Sequence, residues 1–271
     1  MGPGWRYECA LVTGASAGLG EEFARQLAPH CARMVLVARR EDRLHALEAA
    51  LREAHPHLEV GSIPVDLAGE AGRRELITRL HEAGWHPTLL VNNAGMGDYG
   101  EFATSDWEKT QGMISLNITA LTHLTHAFLP EMISGGEGGI INVSSLAGQL
   151  PIPDIGVYAA TKAYVTSFSE ALRIELREHG IPVVAVCPGP VRTEFEEVAA
   201  RNRARSDVAQ RDWFLVDKGE VVAEALRGLR AGRALVFPGW KVALVATAIS
   251  IMPAVLIRLA MSGRPRRVDR D

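Results

Sequence analysis

The sequence predicts a doubly wound α/β fold: a parallel sheet of about seven strands with helices on both faces, in a single domain. Three observations carry this. Short, almost uniformly apolar runs alternate with longer amphipathic ones, a glycine-rich loop follows the first apolar run, and no repeat or low-complexity linker divides the 271 residues. Strands covered on both faces lack the polar alternation of a half-exposed sheet. Segments 10–13, 34–38, 60–65, 88–92, 139–144, 183–187 and 234–237 meet that description, and helical periodicity marks 21–27, 41–53 and 158–178. Two stretches depart from the pattern: 195–216, polar and Arg-rich, and the tail beyond Gly239.

Composition excludes several function classes. Hydrophobic residues at 47% and charged residues at 23% rule out a disordered, collagen-like or coiled-coil chain. A net charge of −3 gives no bulk attraction to a polyanion, so no nucleic-acid partner is expected. Cys9, Cys31 and Cys187 are odd in number and form no CxxC pair, which makes them small buried hydrophobes of a reducing compartment. The nine histidines, His123 and His126 among them, follow no zinc spacing, and no metal site is expected. The opening MGPGWRYECALVTG lacks a charged leader followed by an apolar run, so a cytoplasmic location is expected.

The first apolar run leads directly into Thr13-Gly14-Ala15-Ser16-Ala17-Gly18-Leu19-Gly20, and the amphipathic stretch after it opens on Glu21 and Glu22. Glycines allow a tight turn and let backbone N–H groups approach a pyrophosphate at the positive end of the next helix. The spacing is GxxxGxG and no Lys-Ser/Thr follows, which favours a dinucleotide over a nucleoside triphosphate. Where an NAD site would place an acidic residue after the second strand, this chain has Ala38-Arg39-Arg40. Arg39 is the leading candidate for a 2′-phosphate, with Arg40 and Arg43 as neighbours and Ser16 as a hydroxyl donor. Asp66, just past the third strand, suits either the adenine amino group or a helix N-cap.

Tyr158 and Lys162 lie four apart in GVYAATKAYV, hence on one helix face. A phenol of ordinary pKa is a poor acid-base catalyst at neutral pH, and an ammonium one turn away is expected to lower it. The chain holds only four tyrosines and four lysines, so this pairing by chance is improbable. Ser144 and Ser145 follow the fifth strand at the carboxyl edge of the sheet, where either can donate to a substrate oxygen or cap the next segment. Asn117, within a helical stretch, suits holding a water or bending the helix.

TGASAGLG, NNAG at 92–95, NVSS, YAATK and PGPVRT at 188–193 occur in an order and spacing by which residues 9–239 resemble the classical short-chain dehydrogenases/reductases. The resemblance implies a Rossmann-like catalytic domain over 1–239, with a substrate lid around 195–216 and an extension at 240–271. It implies Tyr158 as catalytic acid/base, and Lys162 as the group that holds the nicotinamide ribose and lowers the phenol. Ser145, 13 residues before Tyr158, would orient the substrate, with Ser144 as second candidate, and Asn117 would join a proton relay through water. The implied cofactor groove takes Gly14, Ser16, Ala17, Gly18, Leu19 and Gly20 from the loop, then Arg39, Arg40, Asp66 and Leu67. Asn93, Ala94 and Gly95 lie near the adenosine in this reading, and Pro188, Gly189 and Val191 precede Thr193, which reaches the carboxamide.

The LVARRE stretch is similar to the family's NADP-preferring branch, so NADP(H) is favoured over NAD(H), although Ala17 stands where some NADP-preferring members carry a basic residue. The expected function is hydride transfer between nicotinamide and the carbonyl or alcohol of a small, mainly apolar substrate, in a homodimer or homotetramer. A non-catalytic dinucleotide-binding sensor or scaffold is the alternative. The tail extends past the usual family body. Residues 242–257 carry no charge, yet sixteen residues interrupted by Pro253 fall short of the ~20 needed to span a bilayer. Lys241, Arg258, Arg264, Arg266 and Arg267 flank them, so a lid or dimer-packing helix is expected, with a membrane-surface segment as the alternative.

Overall fold

Seven strands stand where the apolar runs predict them in the computed structural model, which describes residues 7–201 and 214–263. They are β1 (Tyr7–Thr13), β2 (Cys31–Ala38), β3 (Glu59–Pro64), β4 (Leu89–Asn92), β5 (Gly139–Val143), β6 (Val183–Val186) and β7 (Leu235–Val236). Every pairing is parallel, in the order β3-β2-β1-β4-β5-β6-β7. The order reverses between β1 and β4, and the carboxyl ends on either side of that reversal open a crevice.

Consecutive residues of a strand face opposite sides, so a sheet covered twice needs apolar residues at both. Val12, Leu36, Val91, Ile141 and Val184 enter one core, and their immediate predecessors Leu11, Val35, Leu90, Ile140 and Val183 enter the other. The first core is closed by α1 (Gly18–Leu27), α2 (Glu41–Ala54) and α8 (Lys218–Arg230) through Phe23, Leu44 and Leu226. The second is closed by α3 (Glu70–Glu82), α5 (Leu121–Gly135) and α6 (Gly156–Glu175) through Leu76, Phe128 and Leu172. The remaining helices are α4 (Trp107–Ile114), α7 (Glu194–Ala199), α9 (Trp240–Ile251) and α10 (Ala254–Ser262).

Boundaries shift for physical reasons. β2 begins three residues before its apolar run because the ladder with β1 continues, pairing Tyr7 with Cys31 and Cys9 with Arg33. The helix expected over 158–178 starts at Gly156 and tightens after Glu175 into a 3₁₀ turn, Leu176–His179, ended by Gly180 at φ +69°. β7 keeps only two of its four expected residues. All three cysteines are buried and free, as expected. Residues 202–213 of the expected lid, and Arg264, Arg266 and Arg267 of the tail, lie outside the described residues.

Phe23 and Phe128 are fully buried on opposite sides of the sheet. Truncating either to alanine is expected to lower the unfolding free energy by about 3–5 kcal/mol, with effects that add to within about 0.5 kcal/mol in the double variant. Urea denaturation of the three variants measures this, and strong non-additivity would show that the two cores are coupled through the sheet.

Candidate active site

The loop after β1 is shaped by contacts that leave no room for side chains. Gly14 adopts φ +67°, and a Cβ there would lie 2.8 Å from Asn93 Nδ2. Gly20 is excluded from bearing one because it would come within 2.2 Å of the Gly14 carbonyl oxygen. Thr13 ties this loop to the Asn93-Ala94-Gly95 stretch. Its Oγ1 donates to the Val91 carbonyl at 3.1 Å and accepts from the N–H groups of Asn93 and Ala94, each at 3.0 Å. Ala17 precedes α1 without a side-chain cap, so the first N–H groups of that helix keep open donors at the crevice.

The crevice is a cavity of about 640 Å³. Its lining includes Gly14, Ser16, Ala17, Gly18, Leu19, Arg39, Arg40, Asp66, Leu67, Asn93, Ala94, Gly95, Ser145, Tyr158, Lys162, Pro188, Gly189, Val191 and Thr193. Two expected residues stand behind the wall. Gly20 packs the loop on itself, and Asn117 lies beneath Met96.

The arginines separate by their partners. Arg40 donates from Nε to Ser16 Oγ at 3.2 Å and pairs with Glu194 at 2.8 Å, while Arg43 pairs with the same carboxylate at 2.7 Å. Hydrogen bonds from Arg40 and then Arg43 hold the Glu194 carboxyl below its ordinary range. Exposed Arg39 lines the cavity, and its guanidinium has no partner among the described residues. Asp66 is not the N-cap of α3, a position Gly69 takes. Its carboxylate accepts from Ala68 N at 3.0 Å and closes the turn before the helix.

Tyr158 and Lys162 share the buried face of α6, at 8% and 5% exposure. Lys162 Nζ donates to the Val143 carbonyl at 2.8 Å and lies 5.8 Å from the Tyr158 ring centroid. Burial pushes the Tyr158 phenol up to about 12, against an opposing hydrogen bond with Ser145. It pushes Lys162 down to about 8. This differs from the expectation of a lowered phenol: loss of water around the ring raises it, and the Glu196 charge adds to the rise.

Ser145 caps the 3₁₀ turn Leu146–Gln149 and accepts from Ala147 N at 3.1 Å. A Cβ on Gly148 would meet the Lys162 backbone at 2.7 Å, so that turn rests directly on α6. Ser144 donates to the Lys162 carbonyl at 2.8 Å and shares a hydrogen bond with Thr166 at 2.7 Å, so its hydroxyl is committed to α6. Between α4 and α5 the helix widens into a π segment, Ser115–Ala120, at Asn117. The Asn117 amide accepts from Met96 N and donates to Met96 O, both at 2.9 Å, and donates to Thr161 Oγ1 at 3.0 Å. The Asn117 side chain thus bolts the Met96 loop to α6.

The sequence offers no local signal for two ion-pair groups. Glu194 lies 154 residues from Arg40, and buried Asp98 pairs with Lys109 at 2.9 Å and with Arg201 at the base of the expected lid. Burial alone would raise Asp98, but Arg201 and Lys109 hold it below its usual value. The lining also includes apolar Leu150, Ile152, Phe195, Val198, Phe214 and Val245, together with the carboxylates of Asp154 and Glu196. The Phe195 ring lies 5.6 Å from that of Tyr158.

Residues 8–204 match the short chain dehydrogenase family. The very-long-chain 3-oxoacyl-CoA reductase of Homo sapiens is 36% identical over 202 residues, 73% of this chain, which spans only 64% of that protein's length. Sulfoacetaldehyde reductase 2 of Chromohalobacter salexigens is 37% identical over 211 residues, 76% of this chain and 81% of its own. Among solved structures, a short-chain dehydrogenase from Sphingobium yanoikuyae in complex with NADPH superposes with a TM-score of 0.79 at 32% identity, covering 97% of this chain and 99% of that one. A sequence match through 8–204 and a fold shared over nearly the whole chain make this protein a member of the short-chain dehydrogenase/reductase family.

Proposed function

We propose that the protein is an NADP(H)-dependent oxidoreductase that interconverts a carbonyl and an alcohol on a small, mainly apolar molecule. The observation that carries this reading is the buried Tyr158 and Lys162 on one face of α6, lining with Ser145 the same cavity as the glycine loop. A dinucleotide fits that cavity: the loop leaves a cradle that a Cβ at Gly14 would fill, and Arg39 is a cation without a partner among the described residues. When bound, the nicotinamide supplies or accepts a hydride. Ser145 then polarises the carbonyl oxygen, and Tyr158 delivers the proton to it. Lys162 sits close to Gly95, with Nζ 3.5 Å from where a Cβ there would lie, in position to hold the nicotinamide ribose and to stabilise the phenolate that proton delivery leaves behind. The catalytic body in this reading is 1–239, with the segment around 195–216 over the substrate.

Cofactor choice is a competition between anions. Arg40 and Arg43 are held by Glu194, whereas Arg39 is available to a 2′-phosphate. Arg39→Asp is expected to raise the Kd for NADPH by at least ~10-fold and to leave NADH nearly unaffected, as loss of a charge-assisted contact predicts. Glu194→Gln, which frees two further guanidinium groups, is expected to tighten NADPH. Fluorescence titration with both cofactors checks each variant, and an unchanged NADPH-to-NADH ratio in Arg39→Asp would remove Arg39 from the phosphate site.

Tyr158→Phe is expected to leave cofactor binding intact and to cut ketone reduction by at least ~100-fold, the scale of general-acid loss. The signs of the shifts set the pH dependence. Tyr158, raised to about 12, stays protonated through neutral pH and serves reduction, whereas Lys162, lowered to about 8, loses its charge above that value. Reductive kcat/KM is therefore expected to be flat below about pH 8 and to fall above it. A profile flat to pH 10 would show that the Lys162 charge is not used.

A further inference from the structure

α9 has two different sides. On the inner side Val242 and Ala246 are buried, and Val242 presses on Gly189 so closely that a Cβ there would come within 2.9 Å of its methyl. The helix packs on the Leu146–Gln149 turn that Ser145 caps, and Val245 forms part of the cavity wall. On the outer side Trp240, Leu244 and Ile251 are exposed at 72%, 62% and 80%. α10 follows after Pro253 with no buried residue at all, displaying Val255, Leu256 and Leu259. A mainly apolar nine-residue helix that leaves Val255, Leu256 and Leu259 exposed and only half-buries Ile257 and Met261 calls for another apolar medium on its open side.

Charge identifies that medium. From Trp240 to the last residue the chain carries six arginines and lysines against two acidic residues, Asp269 and Asp271, although the whole protein is net negative at −3. Lys241 lies over the exposed Trp240 ring, an aromatic and cationic pair suited to a lipid headgroup boundary. A second copy meeting this face tail to tail would bring like charges together, which opposes self-association. Neither helix is long enough to cross a bilayer, and the two bend by 115° between them, which suits lying in the surface rather than spanning it.

We propose that α9 and α10 seat the protein on an anionic lipid surface, and that the carbonyl substrate is a lipid-partitioned molecule that enters the cavity past α9. The second half rests on the reductase reading above; the first does not.

The test is flotation of the full-length protein with phosphatidylcholine–phosphatidylserine vesicles, compared with phosphatidylcholine vesicles alone. Association is expected with the anionic vesicles only, weakened at least ~10-fold as salt rises toward 1 M. Leu256→Asp/Leu259→Asp should abolish flotation and keep reduction of a short, water-soluble ketone within about twofold, while reduction of a long-chain ketone carried in vesicles drops at least ~10-fold. A folded wild-type protein that stays in the aqueous fraction at low salt overturns the proposal. So does a concentration-dependent dimer, abolished by the same substitutions, in a protein that binds no vesicles. If the double variant does not fold, the salt dependence of the wild type decides the docking. Equal losses on the short and the vesicle-borne ketone overturn the entry route. Flotation without reduction of any ketone removes the reductase reading and leaves the docking standing.

Discussion

The arrangement of this cavity depends on one buried cation. An ammonium at 5% exposure is costly unless something polar meets it, and the Val143 carbonyl at the end of β5 does so. That bond sets the rotation of α6 against the sheet. Ser144 and Thr166 then close on the Lys162 carbonyl, and Gly148 allows the Ser145 turn to rest on the same backbone. One residue before the lysine, Thr161 accepts from the Asn117 amide, which holds the Met96 loop. The proposed acid and the proposed orienting serine thus owe their separation to contacts gathered around a lysine that touches neither of them by a hydrogen bond of its own.

The same burial sets the electrostatics. In a region stripped of water, both ionised forms are penalised, so the phenol rises and the ammonium falls. The two shifts bring the proton affinities of Tyr158 and Lys162 to the opposite order from that of free solution. A neutral phenol suits proton donation to a developing alkoxide; the reverse direction requires a phenolate, which the Lys162 ammonium is proposed to stabilise.

At the outer rim the electrostatics are exposed and correspondingly weak, since the Arg40, Arg43 and Glu194 side chains are each more than 40% accessible. A weak clamp is easily displaced, which makes Glu194 a competitor for any anion arriving at the arginines. Because Glu194 opens α7 and Phe195 faces Tyr158, the proposed cofactor rim and the proposed substrate wall are joined through one short helix.

By itself, the sequence determined everything that depends on local pattern. Seven apolar runs became seven parallel strands because residues covered on both faces leave a continuous apolar signature, and the four-residue spacing of Tyr158 and Lys162 became one helix face because helix geometry is local. The family resemblance put Ser145 ahead of Ser144, which the residues alone left open, and in the fold the Ser144 hydroxyl bonds to α6 while that of Ser145 caps the next turn. What only the tertiary structure decided is what depends on summed or distant environment. The direction of the Tyr158 shift comes from desolvation by residues scattered over the chain, with Glu196 adding to it. The partner of Arg40 and Arg43, and Arg201 as partner of Asp98, come from segments 103 to 154 residues away that carry no mark of their meeting. The exposed apolar side of α9 likewise became visible only once the body had covered the other side, because an all-apolar helix does not reveal in its sequence which face the protein leaves open.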